Sequence, residues 1–262
     1  MRQGATGVID TKKHAAIVEC KELEKTRAGF IIEGERLIKR AIDDGLMLRS
    51  VIYSNKSRLE QDGYIEKAKA RCGCYRTSEG IIAAVSSSKP VPPEIAACVM
   101  PQYNLGELLG GEYASLLITD CVNNPDNLGL VIRTADACGV DAVIVTDKTG
   151  RNAAPYHKNC VRAARGAIGR LPVIYEPDGG GVIAELKARG VAVIGADVGA
   201  DIMLGDFAPP EKFAVVVGNE TTGMSREMCA MCDVMLKIGM AQGRQSSFNV
   251  AVAAGIILNR LI

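Results

Sequence analysis

The chain contains no tryptophan, four phenylalanines and two histidines in 262 residues. So few large rings argue against a recognition surface built on stacking, and His14 and His157, far apart in sequence, do not make a metal site by themselves. No apolar run approaches the length of a membrane span, and the stretch MRQGATGVID at the start lacks the apolar core of an export signal. A cytoplasmic protein without a membrane segment is therefore expected. The nine cysteines, in a chain of this length with no such signal, are expected to be reduced thiols rather than a disulfide framework. Cys229 and Cys232 have ligand-like spacing, yet they fall in an expected helix with no second pair at a suitable distance. Familiar catalytic signatures are missing as well. Gly218 and Gly223 have the spacing of a phosphate-binding loop, but Met224 stands where its lysine belongs. No G-x-G-x-x-G follows the first strand of the second half, where the sequence is NNPDNLG, and no G-x-S-x-G elbow occurs. Phosphate-loop nucleotide hydrolysis is excluded, while nicotinamide hydride transfer and serine hydrolysis have little support.

What remains is an ordinary globular composition, 48% hydrophobic and 23% charged. The net charge of +1 is unevenly spread: residues 1–100 hold 17 Lys and Arg against 13 Asp and Glu, and residues 101–262 hold 14 against 17. The positive excess in the first part is a mild hint of a polyanion partner.

Periodicity divides the chain into two α/β regions. In the first, residues 12–28 suggest a helix, Phe30–Ile32 a strand, 33–44 a helix stopped by Gly45, 51–53 a strand, and 57–71 a helix. Pro-rich residues 89–93 and a short apolar segment over 95–100 close it. Residues 1–100 are expected to form a small α/β domain, 101–113 a linker, and 114–262 a second domain. That domain opens with an apolar strand over 114–119, a polar turn over 123–129, a helix to Cys138 ended by Gly139, and a strand over 142–145. Strand and helix then alternate to the C-terminus, giving a mostly parallel sheet covered on both faces.

The last fifty residues are the most informative. Phe213–Val217 is a β-branched run that reads as a buried strand, and the loop GNETTG over 218–223 lets backbone approach a ligand closely. A helix starts near Ser225, a strand runs over 234–238, and Ser246, Ser247 and Asn249 open a final helix. Its expected inner face is Val250, Ala253, Ala254, Ile257, Leu258 and Leu261. Loops of successive strand–loop–helix units meet at one sheet edge, where open α/β folds bind ligands. Here that edge gathers neutral hydrogen-bonding groups without an obvious nucleophile or metal. Such a site suits a reaction driven by an activated cofactor, with the protein positioning the reactants.

Three ordered motifs carry a resemblance: NNPDNLGLVIRTADACG over 123–139; residues 213–240 with Gly218-Asn219-Glu220, Gly223 and Ile238-Gly239-Met240; and residues 246–261. Together they resemble the SPOUT-class RNA 2′-O-ribose methyltransferases of the TrmH type. Residues 12–100, including GFIIEGERLIKRA over 29–41, look like the RNA substrate-binding domain that many of these enzymes carry. The resemblance implies a C-terminal trefoil knot, a homodimer, and methyl transfer from S-adenosylmethionine to a ribose hydroxyl of RNA. Ribosomal RNA is favoured by analogy and transfer RNA is the alternative. Carried over by position, Asn127, Arg133, Glu220, Ser247 and Asn249 would be the catalytic group, and Gly195, Ala196, Gly218, Asn219, Ile238, Met240 and Phe248 would hold the cofactor.

Arg133 has two roles open to it, base toward the hydroxyl or a permanently charged fork on the neighbouring phosphate and developing alkoxide. Lys148, Arg151, Lys158, Arg162 and Arg165, with Arg170 beyond them and no acid between, form the largest like-charge cluster and are the candidate RNA contacts. Singly, each site residue also has a bland reading as a cap, a turn residue or a solvated charge. Gly239, Phe248 and Ala164 depart from the proline, leucine and serine usual in the family. A catalytically inactive RNA-binding knot protein and a nicotinamide-dependent dehydrogenase are the other classes to separate.

Overall fold

The structure, a computed structural model, describes residues 6–26, 28–147, 155–241 and 247–262, and it divides into two compact units. The first comprises residues 1–102 together with 156–170, and the second comprises 103–155 and 171–262. No helix among the described residues is long and apolar enough to cross a membrane.

In chain order the first unit contains β1 (Thr6–Ile9), α1 (Ala15–Thr26), β2 (Gly29–Glu33), α2 (Glu35–Asp43), β3 (Leu48–Tyr53), α3 (Tyr64–Lys69), β4 (Gly73–Thr77), α4 (Glu79–Ile82) and β5 (Glu94–Val99). They form a five-stranded sheet in the order β1-β4-β3-β5-β2, in which β5 runs antiparallel to both neighbours. Ile17, Cys20 and Leu23 of α1 bury against Ile52, Ile95 and Ala97 of the sheet. Fully burying one such aliphatic side chain contributes roughly 1.5–3 kcal/mol. The helix expected over 57–71 is confined to α3: residues before it form turns, and Gly63 precedes it at φ 75.

The second unit begins earlier than a linker over 101–113 allows. Asn104 caps α5 (Leu105–Gly110) by accepting from the Gly106 and Glu107 amides, and Leu105 and Leu109 are buried in the core of this unit. Then come β6 (Ser115–Asp120), α6 (Pro125–Cys138) and β7 (Ala142–Thr146). The next helix, α7 (Lys158–Ala164), belongs to the first unit and packs on β2, with the Tyr156 ring 5.2 Å from that of Phe30. The second unit resumes with β8 (Val173–Tyr175), α8 (Gly179–Ala188), β9 (Ala192–Ala196), β10 (Ile202–Met203), β11 (Phe213–Val217), α9 (Arg226–Met231), β12 (Val234–Lys237) and α10 (Val250–Leu261).

Its seven strands are all parallel, in the order β10-β12-β9-β11-β6-β7-β8. A parallel sheet is covered on both faces, and accordingly every residue of β6, β7 and β11 is buried. Helices α5, α8 and α9 supply the core on one face, and α10 packs against α6 and β11. The inner face of α10 is as expected at Val250, Ala254, Ile257, Leu258 and Leu261, but Ala251 is buried where Ala253 is not.

Glu33 at the end of β2 shows how the first unit holds a long loop. Burial pushes its carboxyl up, but hydrogen bonds donated by the Ser86 hydroxyl (2.7 Å) and the Ser87 amide (2.8 Å) outweigh this and leave its pKa lowered from 4.5. A lowered acid stabilises the fold above its unfolded value, and that stability is lost as pH falls through the folded value. Glu33→Gln is therefore expected to cost about 1 kcal/mol at neutral pH. The gap from wild type in urea midpoint should close as the pH is taken below 4.5.

Candidate functional site

The site lies at the C-terminal edge of the second unit's sheet and starts with the loop after β11. Asn219 and Gly223 exchange backbone hydrogen bonds of 3.0 and 2.9 Å, closing residues 219–223 into a tight turn with Gly223 at φ 71. The Asn219 side-chain oxygen accepts from the Thr221 and Thr222 amides, and its amide donates to the Cys121 carbonyl at 2.8 Å. The Ser225 amide adds a bond of 2.6 Å to the Asp120 carboxylate. These contacts fasten the loop after β11 to the loop after β6, where Cys121 adopts φ 57, strained for a side chain other than glycine. Gly218 is required by space: a Cβ there would lie 2.1 Å from the Met224 nitrogen.

The turn over 123–129 is the start of α6. The Asn124 side chain accepts from the Asp126 and Asn127 amides, Pro125 fills the first turn, and Gly139 ends the helix at φ 83. This frees the Asn127 side chain to face away from its own helix. It donates to Glu220 Oε1 at 2.6 Å, and its oxygen accepts from the Asn249 amide at 3.0 Å. Asn249 also caps α10 by accepting from the Ala251 amide at 2.9 Å. Three of the five expected catalytic residues are thus one hydrogen-bonded relay drawn from three elements.

Beside the relay is a pocket of about 290 Å³ between the loops after β9, β11 and β12. Val217, Leu236, Ile238 and Ile257 give it apolar walls, and Asp197, Asn219, Glu220 and Ser247 bring polar groups. Of the expected cofactor residues, Ala196, Gly218, Asn219, Ile238, Met240 and Phe248 line it. Gly195 is not among the lining residues: a Cβ there would meet the sulfurs of Met235 and Cys232, on the core side of the strand.

Arg133 is exposed on α6 and also lies outside the lining. Six residues separate it from Asn127, about 240° around the helix, so the two side chains leave α6 in different directions. No hydrogen bond or ion pair engages Arg133 among the described residues. Of the basic cluster, Lys158, Arg162 and Arg165 are exposed on α7 and its C-cap, whereas Lys148 and Arg151 lie outside the described residues.

Local structure accounts for both histidines and for Cys232. No group of three or more His, Cys, Asp or Glu among the described residues is arranged to hold a metal. His14 and His157 cap α1 and α7, each Nδ1 accepting from a backbone amide two residues on. Cys232 is pushed up to about 12, first by burial and then by the charges of Cys229 and Asp233, so it stays a thiol. The sequence reading missed Asp197, Thr221 and Thr222, which line the pocket. An aspartate or threonine after a strand is normally a turn residue, so no signal marked them out.

A family model described as the SpoU rRNA Methylase family matches residues 114–259. The chain belongs to that family. Two relatives span most of it. The 23S rRNA (guanosine(2553)-2′-O)-methyltransferase RlmP of Bacillus subtilis is 32% identical over 97% of this chain and 98% of its own length. The 23S rRNA (uridine(2479)-2′-O)-methyltransferase of Streptomyces viridochromogenes is 31% identical over 90% and 83%. The fold is shared with the crystal structure of the SpoU methyltransferase AviRb from Streptomyces viridochromogenes in complex with AdoMet. That structure aligns with a TM-score of 0.82 at 24% identity, over 95% of this chain and 97% of that one. An AdoMet-bound rRNA methyltransferase from Sinorhizobium meliloti aligns with a TM-score of 0.85 at 23% identity, over 98% and 97%.

In this SpoU family member the crowded glycine can be tested by itself. Gly218→Ala should cost about 3 kcal/mol, because the clash is with backbone that cannot swing aside. Gly205→Ala, where a Cβ meets nothing within 4 Å, should be tolerated. Thermal denaturation of the two variants checks the contrast.

Proposed function

We propose that this chain transfers a methyl group from S-adenosylmethionine to a ribose 2′-hydroxyl of 23S ribosomal RNA. The observation that carries the reading is the Glu220–Asn127–Asn249 relay beside a pocket built from three strand ends. Membership of the SpoU family and the 23S rRNA activities named for the two long relatives support the substrate.

The pocket suits the cofactor by its chemistry. Apolar walls fit a purine, Asn219, Thr221 and Ser247 offer hydrogen-bonding groups, and Gly218 leaves room for backbone contact. When bound there, S-adenosylmethionine supplies an electrophilic methyl group on a sulfonium. Ala196, Gly218, Asn219, Ile238, Met240 and Phe248 would hold it. The relay fixes the loop after β11 against α6 and α10, so the walls are set before reactants arrive. Arg133, always charged and without a partner among the described residues, takes up the phosphate next to the target ribose and stabilises the developing alkoxide, leaving the proton to a phosphate oxygen or water.

The first unit supplies the RNA grip. Register places Glu33 opposite Ile95, and Tyr53 opposite Glu94 and Arg76, so the loops after β2, β3 and β4 and before β5 emerge at one end. Most acids there are tied down, Glu33 by serines, Glu35 and Asp62 by Lys39, Glu79 by Lys56 and Glu94 by burial, while Glu60 in the loop after β3 is exposed. Arg36, Arg58 and Lys89 at the same end are exposed and have no acidic partner among the described residues. Such an edge attracts phosphate. Lys158, Arg162 and Arg165 extend the basic surface of this unit.

Two further features belong to this reading. The C-terminal segment threads as a trefoil knot, a reading supported by β11 lying between β9 and β6 while β12 crosses to the far side of β9 before α10 returns to α6. Two copies pair through an apolar groove on α6 and α10, where Leu130, Val252 and Ile256 are exposed. In the bacterial setting of the two long relatives such a protein would act in the cytoplasm.

With tritium-labelled cofactor and 23S RNA from a strain lacking the protein, the wild type should label RNA. Arg133→Ala should lose on the order of 10²–10³ in rate while still binding cofactor. An unlabelled RNA with intact RNA binding would instead identify a binding protein. The triple variant Arg36→Ala, Arg58→Ala, Lys89→Ala should weaken RNA binding at low salt and flatten its salt dependence by about three ions.

A further inference from the structure

The pocket contains an acid that neither the relay nor the family motifs use. Asp197 follows β9, and among the described residues lining the pocket it and Glu220 are the only acids. Glu220 is committed through Oε1 to Asn127. Asp197 is held from two directions: its amide donates to the Leu236 carbonyl at 3.0 Å, and its Oδ1 accepts from the Gly199 amide at 2.7 Å. Its second carboxylate oxygen has no hydrogen bond or ion pair among the described residues, although the side chain is half-buried. The second oxygen of this fixed carboxylate can accept a hydrogen bond from a donor in the pocket.

The ligand's chemistry decides which donor. No described residue lining the pocket is cationic, so the zwitterionic amino-acid end of S-adenosylmethionine finds no counter-charge there for its carboxylate and belongs on the open side. Val198 adjoins Asp197 in sequence and the Leu236 carbonyl accepts from the Asp197 amide, so a nucleoside end seated on these apolar side chains would carry its adjacent ribose hydroxyls near Asp197. An acid at a strand's carboxyl end that takes ribose hydroxyls is a recurrent solution in open α/β sheets.

Building on the cofactor assignment above, we propose that Asp197 determines cofactor specificity by accepting a hydrogen bond from the ribose hydroxyls of the bound adenosyl group.

Isothermal titration of the full-length protein with S-adenosylhomocysteine, and with its 2′-deoxy and 3′-deoxy analogues, tests this without catalysis. Asp197→Ala should bind S-adenosylhomocysteine roughly tenfold to a hundredfold more weakly than wild type, since a charge-assisted hydrogen bond is lost. Removing the engaged hydroxyl should cost wild type a similar factor and cost Asp197→Ala almost nothing. Asp197→Asn, which can keep the Gly199 bond, should show an intermediate loss, and a melting temperature close to wild type would show that the loop is intact. Equal binding by wild type and Asp197→Ala would overturn the inference alone. So would a deoxy analogue that weakens both proteins equally, or a loss confined to S-adenosylmethionine, which would assign Asp197 to the sulfonium charge. A wild-type chain that binds neither cofactor form would overturn the cofactor reading and this inference with it.

Discussion

The hydrogen bonds from Glu220 through Asn127 to Asn249 are the constraint on which the site depends. They join residues separated by 93 and 122 positions, each placed by a different element. Asn127 is available because Asn124, three residues earlier, has already capped α6. Asn249 is at once a cap and a bridge, so α10 begins where the site ends. A relay of neutral amides and one carboxylate imposes geometry without bringing a strong base, in keeping with chemistry whose driving force is carried by a cofactor.

The backbone around the relay shows the same division between fixing and reacting. Asn219 closes its own turn and reaches the Cys121 carbonyl, Asp120 receives the Ser225 amide, and Gly218 admits no side chain. These groups act on loop shape. The pocket beside them is lined mainly by apolar side chains and by backbone from three strand ends. Strain at Cys121 persists because both neighbouring loops over-determine that conformation.

Much of this was legible in the sequence for a physical reason. Strands buried on both faces, such as β6 and β11, are largely continuous apolar runs, and the glycine and asparagine punctuation around α6 and β11 is local chemistry. β1 and β4 were not legible. Val8 of β1 is 75% exposed and β4 reads GCYRT, so neither shows an apolar run or clean alternation. α5 was hidden because a six-residue helix with turn residues on either side looks like a linker until its leucines are seen buried. At the site, residue types and loop positions could be read in advance. The contacts among Glu220, Asn127 and Asn249 could not, since nothing local encodes a pairing across a hundred residues, and Asp197 carried no mark beyond that of an ordinary turn.

The excursion of residues 156–170 has a consequence for how the polypeptide can be cut or recombined. The main chain passes from one unit to the other three times, so neither is a contiguous stretch of sequence. Excising residues 1–102 as a cassette would strip the cover from β2 and Phe30. It would also leave the remainder with the stranded apolar residues Val161, Ile168 and Tyr156. The two parts therefore do not behave as interchangeable beads. Exchanging residues 1–102 alone has to preserve the surface of β2 that α7 covers.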